Sequence, residues 1–197
     1  MENQEHGSLF IQYRDHGDLS AFQILLDYYN KPLFNYLLRL LRRTEEAEDA
    51  LQEVWLKVIR QAHTYNDQGR FTSWMYRIAH NHCMDLFRRN HRMPVEEENG
   101  EPERADSILD RLESDGPSPR DLLMEQETFD MLEAAVGQLP EAIREVYILR
   151  AVHDVPFKEI AEIQNAPLGT VLSRMHQAVQ RLRHILADED ASSAGSA

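Results

Sequence analysis

The chain contains a single cysteine, Cys83, among its 197 residues. An internal disulfide framework and a cysteine-rich zinc site are therefore excluded. No apolar run approaches the roughly 18–20 residues that span a bilayer, so we expect a cytoplasmic protein with no membrane insertion of its own. Runs of period-two alternation rich in β-branched residues are also missing, which argues against a β-sheet fold. Wholesale disorder is excluded because 42% of the residues are hydrophobic, enough to bury a core.

Basic residues are scarce, with 21 Lys and Arg against 34 Asp and Glu and a net charge of −13. Taken over the whole chain, this charge argues against a nucleic-acid partner, because phosphates attract cations. The excess is local, however: residues 94–133 carry 14 acidic and 3 basic side chains, whereas residues 1–93 carry 12 of each. The net charge therefore does not exclude nucleic-acid binding by the segments before and after residues 94–133.

The acidic segment also contains the prolines that interrupt helices, at Pro94, Pro102, Pro117 and Pro119. It has few apolar residues that would offset the entropy of ordering. We therefore predict a flexible acidic linker over residues 92–124. It would join an N-terminal domain at 1–91 to a C-terminal domain at 125–187, followed by a disordered tail at 188–197.

Apolar residues recur at spacings of three and four on both sides of this linker, which predicts an all-α fold of two helical domains. In the N-terminal domain the pattern indicates a helix that contains Pro32 as a kink. A second helix would begin with Thr44 as its cap, and a third would run from Ser73 to about Asn90.

The helix that follows Thr44 has a polar, acidic face with one large aromatic residue. Its members are Asp49, Gln52, Glu53 and Trp55. A solvated face with Trp55 turned into the core explains this pattern, and the pattern alone favours that interpretation. The alternative is a protein-docking surface, because Trp is enriched at interface hot spots.

The third helix combines cations and an amide on the side opposite its apolar residues. These polar positions are Arg77, Asn81, Asp85 and Arg88. Residues 67–93 carry five basic and two acidic side chains, with Phe71, Trp74 and Tyr76 close by. Cations that bind phosphates and aromatic rings that stack on unpaired bases favour single-stranded DNA as a ligand. The alternative is that the aromatic residues fill a helical core.

His80, His82 and Cys83 are all residue types that bind zinc, and they suggest a metal-dependent helical enzyme as a rival. Positions i and i+2 of a helix point to different sides, and no further ligand occurs at a suitable spacing. We expect no metal and no cofactor, and we expect Cys83 to be buried.

The C-terminal domain shows a short helix after Pro156, a break at 165–167 and a longer helix from Leu168, the pattern of a helix-turn-helix. Polar positions opposite the apolar side of the longer helix are Thr170, Arg174, Gln177 and Arg181. No acidic residue occurs between Glu162 and Asp188. This arrangement favours insertion into a major groove over an ordinary surface helix.

Four segments together resemble a known family. Thr44–Val58 resembles the polymerase-binding region of bacterial sigma factors of the sigma-70 type, and Phe71–Asn81 resembles their promoter-melting segment. Leu139–Tyr147 and Ile160–Arg174 are similar to their C-terminal helix-turn-helix. The length and two-domain layout resemble the extracytoplasmic-function (ECF) subfamily.

The resemblance implies a sigma factor that binds core RNA polymerase and recognises and melts promoter DNA. Its function would be promoter choice, so it would be no enzyme, and an anti-sigma factor would control it. Docking on the β′ clamp helices, with further contacts to the β subunit, would use Asp49, Gln52, Glu53 and Trp55. The −10 element would be bound by Arg70, Phe71, Trp74, Arg77, Asn81, Asp85, Arg88 and Arg89, with a flipped base held by the loop at 65–73. The −35 element would be bound by Thr170, Ser173, Arg174, His176, Gln177 and Arg181.

The recognition helix departs from the family at three positions. Family members often carry Arg where this chain has Leu172 and Gln177, and an aromatic residue where it has His176. We therefore expect its −35 contacts to differ in sequence or strength. The remaining rival is a stand-alone helix-turn-helix regulator whose N-terminal domain senses a signal.

Overall fold

The computed structural model describes residues 2–66, 69–90 and 129–194, and within these ranges it contains helices and no strands. The N-lobe consists of α1 (Glu2–His16), α2 (Leu19–Leu41), α3 (Thr44–Arg60), a 3₁₀ turn (Ala62–Thr64) and α4 (Phe71–Asn90). The C-lobe consists of α5 (129–137), α6 (Glu141–Tyr147), a π-helical turn (Ile148–Val152), α7 (Phe157–Ile163) and α8 (Leu168–Ala194). The predicted all-α fold in two regions is confirmed. The whole of the predicted linker, 92–124, lies outside the described residues.

Helix α1 was not anticipated from the sequence. Its Phe10 is fully buried, with ring centroids 4.9 Å from Phe71 and 5.4 Å from Tyr65. Gly17 ends α1 with a φ of 68°, and the Asp18 side chain then accepts hydrogen bonds from the first free backbone N–H groups of α2. Helix α1 therefore completes one side of the N-lobe core, where its Phe10 covers Phe71 and Tyr65.

The N-lobe core consists of the apolar sides of α2, α3 and α4. Its members include Leu25, Leu33, Leu37, Val54, Val58, Met75, Ala79 and Cys83. Pro32 lies inside α2, which continues unbroken to Leu41. Thr44 is the first residue of α3 and Arg43 takes the N-cap position without a side-chain hydrogen bond, so the predicted Thr44 cap does not form.

The C-lobe contains the predicted helix-turn-helix. Helix α7 ends at Ile163, and α8 begins five residues later at Leu168, directly after Pro167. Ile160, Ile163 and Val171 are buried between the two helices. Helix α8 continues to Ala194, so the predicted disordered tail is corrected for residues 188–194. That segment contains three Asp and Glu, two Ala and two Ser residues and no Gly or Pro, so nothing in it breaks a helix.

The two lobes pack against each other. Helix α4 of the N-lobe lies against α7, and α2 contacts α6 and the π-helical turn. Within the described ranges no helix is long and apolar enough to cross a membrane. The packing of the lobes decides which of the predicted functional side chains are accessible.

Candidate nucleic-acid interface

The outer side of α4 presents the polar residues that the sequence pattern predicted. Arg77, Asn81, Arg88 and Arg89 are exposed there, and we call these four residues the α4 face. Asp85 is half-buried and its Oδ1 accepts a hydrogen bond from Arg88 Nη2 at 2.7 Å. Three cations and one amide on one helical surface can bind phosphates and a base edge.

The aromatic residues beside the α4 face belong mainly to the core. Phe71 is 0% exposed and Tyr76 is buried, whereas Trp74 is partly exposed. Phe10 of α1 packs on Phe71 and Trp74 at 4.9 and 5.3 Å. Because α1 covers the Phe71 ring, base stacking by Phe71 is corrected to a core-filling role, and Trp74 keeps an accessible edge.

Helix α7 lies directly on the start of α4 and on the residue before it. Arg70 Nη1 donates to Glu162 Oε1 at 2.7 Å, and Arg77 Nη2 lies 3.9 Å from Glu162 Oε2. The Ser73 hydroxyl donates to the Glu159 carboxylate. A cleft of about 690 Å³ lies between Arg77 and Asn81 of α4 and the turn at 165–167. Part of the predicted −10 surface is therefore paired with carboxylates of the C-lobe.

Helix α8, the second helix of the helix-turn-helix, exposes four of the six residues predicted to bind the −35 element. Ser173, His176, Gln177 and Arg181 are exposed as predicted, whereas Thr170 and Arg174 are half-buried. Arg174 Nη1 donates to Gln164 Oε1 at 2.7 Å, so its guanidinium is held at the turn between α7 and α8.

Leu172 lies within the exposed surface of α8 and was missing from the predicted −35 set. It is 46% exposed, next to Ser173 and one turn before His176. The sequence could have indicated this exposure, because Val171 belongs to the apolar side of α8 and the next residue of a helix points about 100° away from it. An exposed leucine on such a helix can contact a thymine methyl group in a major groove.

On the candidate polymerase-docking side of α3 the polar residues are at least partly exposed, whereas the tryptophan is buried in the core. Asp49 and Gln52 are exposed and Glu53 is half-buried. Trp55 is 8% exposed, packs edge-to-face on Phe22, and its Nε1 donates to Asn30 Oδ1 at 2.8 Å. The docking contact assigned to Trp55 is therefore corrected to a core position, the first of the two interpretations.

Two apolar side chains that the sequence analysis missed lie exposed on α3. Leu56 is 44% exposed and Ile59 is 40% exposed. Leu56 follows Gln52 by one helical turn and Asp49 by two, so the three share a side of α3. Together Asp49, Gln52 and Leu56 form a surface of mixed polarity, which we call the α3 face.

The residues of the metal hypothesis have separate partners. His80 Nδ1 donates to Glu145 Oε1 at 2.7 Å, and Lys57 Nζ donates to His82 Nδ1 at 3.0 Å. Cys83 is buried, and burial raises the pKa of its thiol. In the part of the chain that the structure describes, no three His, Cys, Asp or Glu side chains are placed to hold a metal ion.

Comparison with known families gives two matches that divide the chain as its lobes do. Residues 25–93 match the family model of sigma-70 region 2, and residues 129–182 match that of sigma-70 region 4. Together the two matches cover more than half of the chain. The ECF RNA polymerase sigma factor SigW of Bacillus subtilis is 28% identical over 172 residues, which is 87% of this chain and 92% of SigW.

Two solved structures are similar in fold. The sigma factor RpoE of Bartonella quintana, crystallised with the anti-sigma factor NepR, gives a TM-score of 0.62 at 22% identity and covers 84% of this chain and 96% of its own. CnrH, solved with the cytosolic domain of CnrY, gives a TM-score of 0.65 at 16% identity and covers 95% of this chain and 99% of its own.

Proposed function

Because this chain belongs to the sigma-70 family of RNA polymerase sigma factors, we propose that it directs core RNA polymerase to promoters through their −10 and −35 elements and promotes DNA melting. The observation that carries the proposal is that each lobe exposes its own surface of polar and cationic side chains, suited to binding DNA. One is the α4 face of the N-lobe, and the other is the exposed side of α8 in the C-lobe. The two-region layout corresponds to the ECF subfamily.

Recognition of the −35 element is assigned to α8. Its exposed Ser173, His176 and Gln177 lie in the first three turns, where a recognition helix contacts base edges. Arg181 lies farther along the helix and is placed for a phosphate. Leu172 adds an apolar contact among these polar ones, and the half-buried Thr170 lies at the border of the surface.

Recognition and melting of the −10 element are assigned to the α4 face. Arg77, Arg88 and Arg89 supply cations for the strand that separates, and Asn81 supplies an amide for a base edge. Removing a base from the stack costs a few kcal/mol, which contacts to the flipped base must offset. We assign that base to residues 65–73, of which 71–73 belong to the first turn of α4 and 67 and 68 lie outside the described ranges.

Docking on the β′ clamp helices of core polymerase is assigned to the α3 face, with the half-buried Glu53 at its border. The bond-forming chemistry of transcription then belongs to the polymerase, and this chain acts in the cytoplasm as a specificity subunit. RpoE of Bartonella quintana and CnrH are each solved with a regulatory partner. We propose that an anti-sigma factor controls this chain as well.

The direct test is run-off transcription with purified core polymerase on a library of promoter DNAs. We expect promoter-specific initiation that requires this chain and is reduced at least tenfold by Asp49→Arg on the α3 face. Glu5→Arg, an exposed residue of α1 with the same charge change, is the matched control. A stand-alone regulator would instead bind duplex promoter DNA tightly without polymerase and would be insensitive to Asp49→Arg.

A further inference from the structure

A half-buried glutamine at the turn of the helix-turn-helix links α8 to the core of the C-lobe. Gln164 takes the C-cap position of α7, and its backbone N–H donates to the Ile160 carbonyl oxygen at 2.9 Å. The next residue, Asn165, has a φ of 48°, in the left-handed region, where helices commonly end. The backbone of the turn therefore sets the position of Gln164.

The Gln164 side chain joins two groups of opposite charge. Its Nε2 donates to Glu145 Oε2 at 2.7 Å, and its Oε1 accepts a hydrogen bond from Arg174 Nη1 at 2.7 Å. A carboxylate accepts hydrogen bonds and a guanidinium only donates them, so a neutral amide can satisfy both partners at once. The two partners also determine which end of the amide faces each of them.

Glu145 of α6 anchors this amide in the core. It is 0% exposed, and its other oxygen, Oε1, accepts hydrogen bonds from Tyr36 at 2.5 Å and from His80 at 2.7 Å. A buried carboxylate is costly unless donors surround it, so these bonds hold its oxygens in place. Gln164 therefore connects a fixed group in the core to a side chain on α8.

Arg174 lies at the border of the exposed surface of α8. It precedes the exposed Arg181 by two turns, so the two arginines share a side of the helix. A helix with its side chains is about as wide as the major groove, roughly 10–12 Å, so side chains at the border of its exposed surface face the phosphates along the groove walls. A guanidinium has several N–H donors, and the bond to Gln164 leaves this group able to bind a phosphate at the same time.

From this geometry we infer that Gln164 is a positioning residue for −35 recognition, which holds the Arg174 guanidinium against a DNA phosphate. The inference rests on the proposed function, because that function supplies the duplex. A guanidinium that is held in place before DNA binds loses less side-chain freedom in the complex. A phosphate contact of this kind sets the orientation of α8 in the groove, and base preference belongs to the exposed side chains of its first three turns.

The test is a double-mutant cycle with full-length chains assembled into holoenzyme, which bind the promoter DNA recovered by run-off transcription. Gln164→Met keeps the length of the side chain and removes the amide, and we expect about two- to fivefold weaker binding on promoters of any −35 sequence. Arg174→Ala should weaken binding about fivefold or more and make the plot of log affinity against log salt concentration shallower by about one. In the Arg174→Ala background, Gln164→Met should have no further effect, because Gln164 acts through Arg174.

Two controls separate positioning from folding. Gln12→Met, at an exposed position of α1, makes the same chemical change away from the assigned DNA-binding residues and should leave the affinity unchanged. In Gln164→Met the buried Glu145 keeps its two donors on Oε1, so we expect the variant to remain folded in thermal denaturation. Gln164→Asn, whose amide is one methylene shorter, is a second variant and should lose affinity in the same way.

Three results would overturn the inference. The first is an affinity of Gln164→Met equal to that of the unaltered chain. The second is a loss of the same factor in the presence and absence of Arg174, which would give Gln164 a structural role only. The third is a loss on Arg174→Ala that is confined to promoters with one particular base, which would make Arg174 a base contact.

Failure of the proposed function gives a different result, since no chain then directs initiation by core polymerase. The same four chains are in that case compared in binding to duplex DNA of random sequence by fluorescence anisotropy, because a phosphate contact acts on any sequence. We expect the same cycle there: weaker binding by Gln164→Met, and no further loss when Arg174 is already alanine. Equal affinities of Gln164→Met and the unaltered chain would again remove the role of Gln164.

Discussion

Leu172 is an exposed apolar side chain on helix α8. A leucine that is 46% exposed contributes little to folding, so its truncation leaves the fold intact. In a major groove, however, it can bury apolar surface against a thymine methyl group. We therefore expect Leu172 to contribute to DNA binding and scarcely at all to stability.

We expect Leu172→Ala to weaken binding of the preferred −35 element by about 1–2 kcal/mol, because the variant lacks three side-chain carbons that the leucine would bury in the groove. Binding-site selection with the variant should lose a thymine preference at one position while the melting temperature stays unchanged. Leu19→Ala, a 73% exposed leucine on α2, is the control and should alter neither quantity. An unchanged selection profile for Leu172→Ala would remove Leu172 from the interface.

Cys83 illustrates how burial decides the chemistry of a residue. Its side chain is fully enclosed in the N-lobe core, and burial raises the pKa of the thiol, so the nucleophilic thiolate is disfavoured near neutral pH. We expect a thiol reagent such as dithionitrobenzoate to react slowly with the folded chain and rapidly in denaturant. Fast stoichiometric labelling of the folded chain near neutral pH would contradict the burial of Cys83.

At the scale of elements, α3 carries two neighbouring residues, Trp55 and Leu56, with opposite environments. Trp55 is packed on Phe22 and hydrogen-bonded to Asn30, whereas Leu56 is 44% exposed beside Gln52. Successive residues of a helix point about 100° apart, so one enters the core while the next faces outward. The two positions therefore separate a core residue from a candidate docking residue within a single helix.

We expect Trp55→Ala to lower the free energy of unfolding by about 3–5 kcal/mol. Leu56→Ala should change it by less than about 0.5 kcal/mol and should weaken core-polymerase binding by about 1 kcal/mol. Chemical denaturation and a polymerase-binding titration measure the two effects. If Leu56→Ala binds polymerase as tightly as the unaltered chain, the α3 face does not extend to that residue.

Helix α1 shows why an element can be present without a clear pattern. Its apolar residues Leu9, Phe10, Ile11 and Tyr13 cluster near its middle, so no continuous stripe marks an amphipathic helix. The aromatic ring of Phe10 nevertheless packs on Phe71 and Trp74 and reduces their exposure. Because α1 was not predicted, Phe71 of α4 was assigned to base stacking when it belongs to the core.

At the scale of the whole molecule, closure of the lobes also encloses a histidine. His153 of the C-lobe forms a hydrogen bond with the N-lobe Tyr76 hydroxyl at 3.1 Å and lies with its ring 6.2 Å from Tyr36. Burial, assisted by the charge of Arg39, lowers the pKa of His153 from 6.5 to about 4. The packed lobes therefore accept His153 in its neutral form and resist its protonation.

The sign of the pH dependence follows from this lowered pKa. Above pH 6.5 His153 is neutral in both forms and costs nothing, whereas between 6.5 and about 4 the opened or unfolded chain binds a proton that the packed chain excludes. We expect the melting temperature to fall as the pH decreases through this window. The melting temperature of His153→Gln should fall less steeply, because the variant lacks the group that takes up this proton. Some fall should remain, because carboxylates also titrate in this range. A slope identical to that of the unaltered chain would show that His153 does not contribute.

The sequence by itself determined the helical class, the division into two regions and the helix-turn-helix. These features depend on local periodicity, on proline positions and on the distribution of charge, which neighbouring residues encode. It also identified Arg77, Asn81 and Arg88 of the α4 face, because side chains at three- and four-residue spacing share a side of any helix.

Tertiary structure alone decided which of these side chains are free to bind DNA. Arg70 and Arg77 meet Glu162 more than eighty residues away, and Glu145 receives its donors from helices of the other lobe. Such contacts depend on how two lobes pack, and the pattern of one helix carries no information about the helix that covers it. The same reason explains Phe71 and Trp55, whose burial is set by α1 and α2.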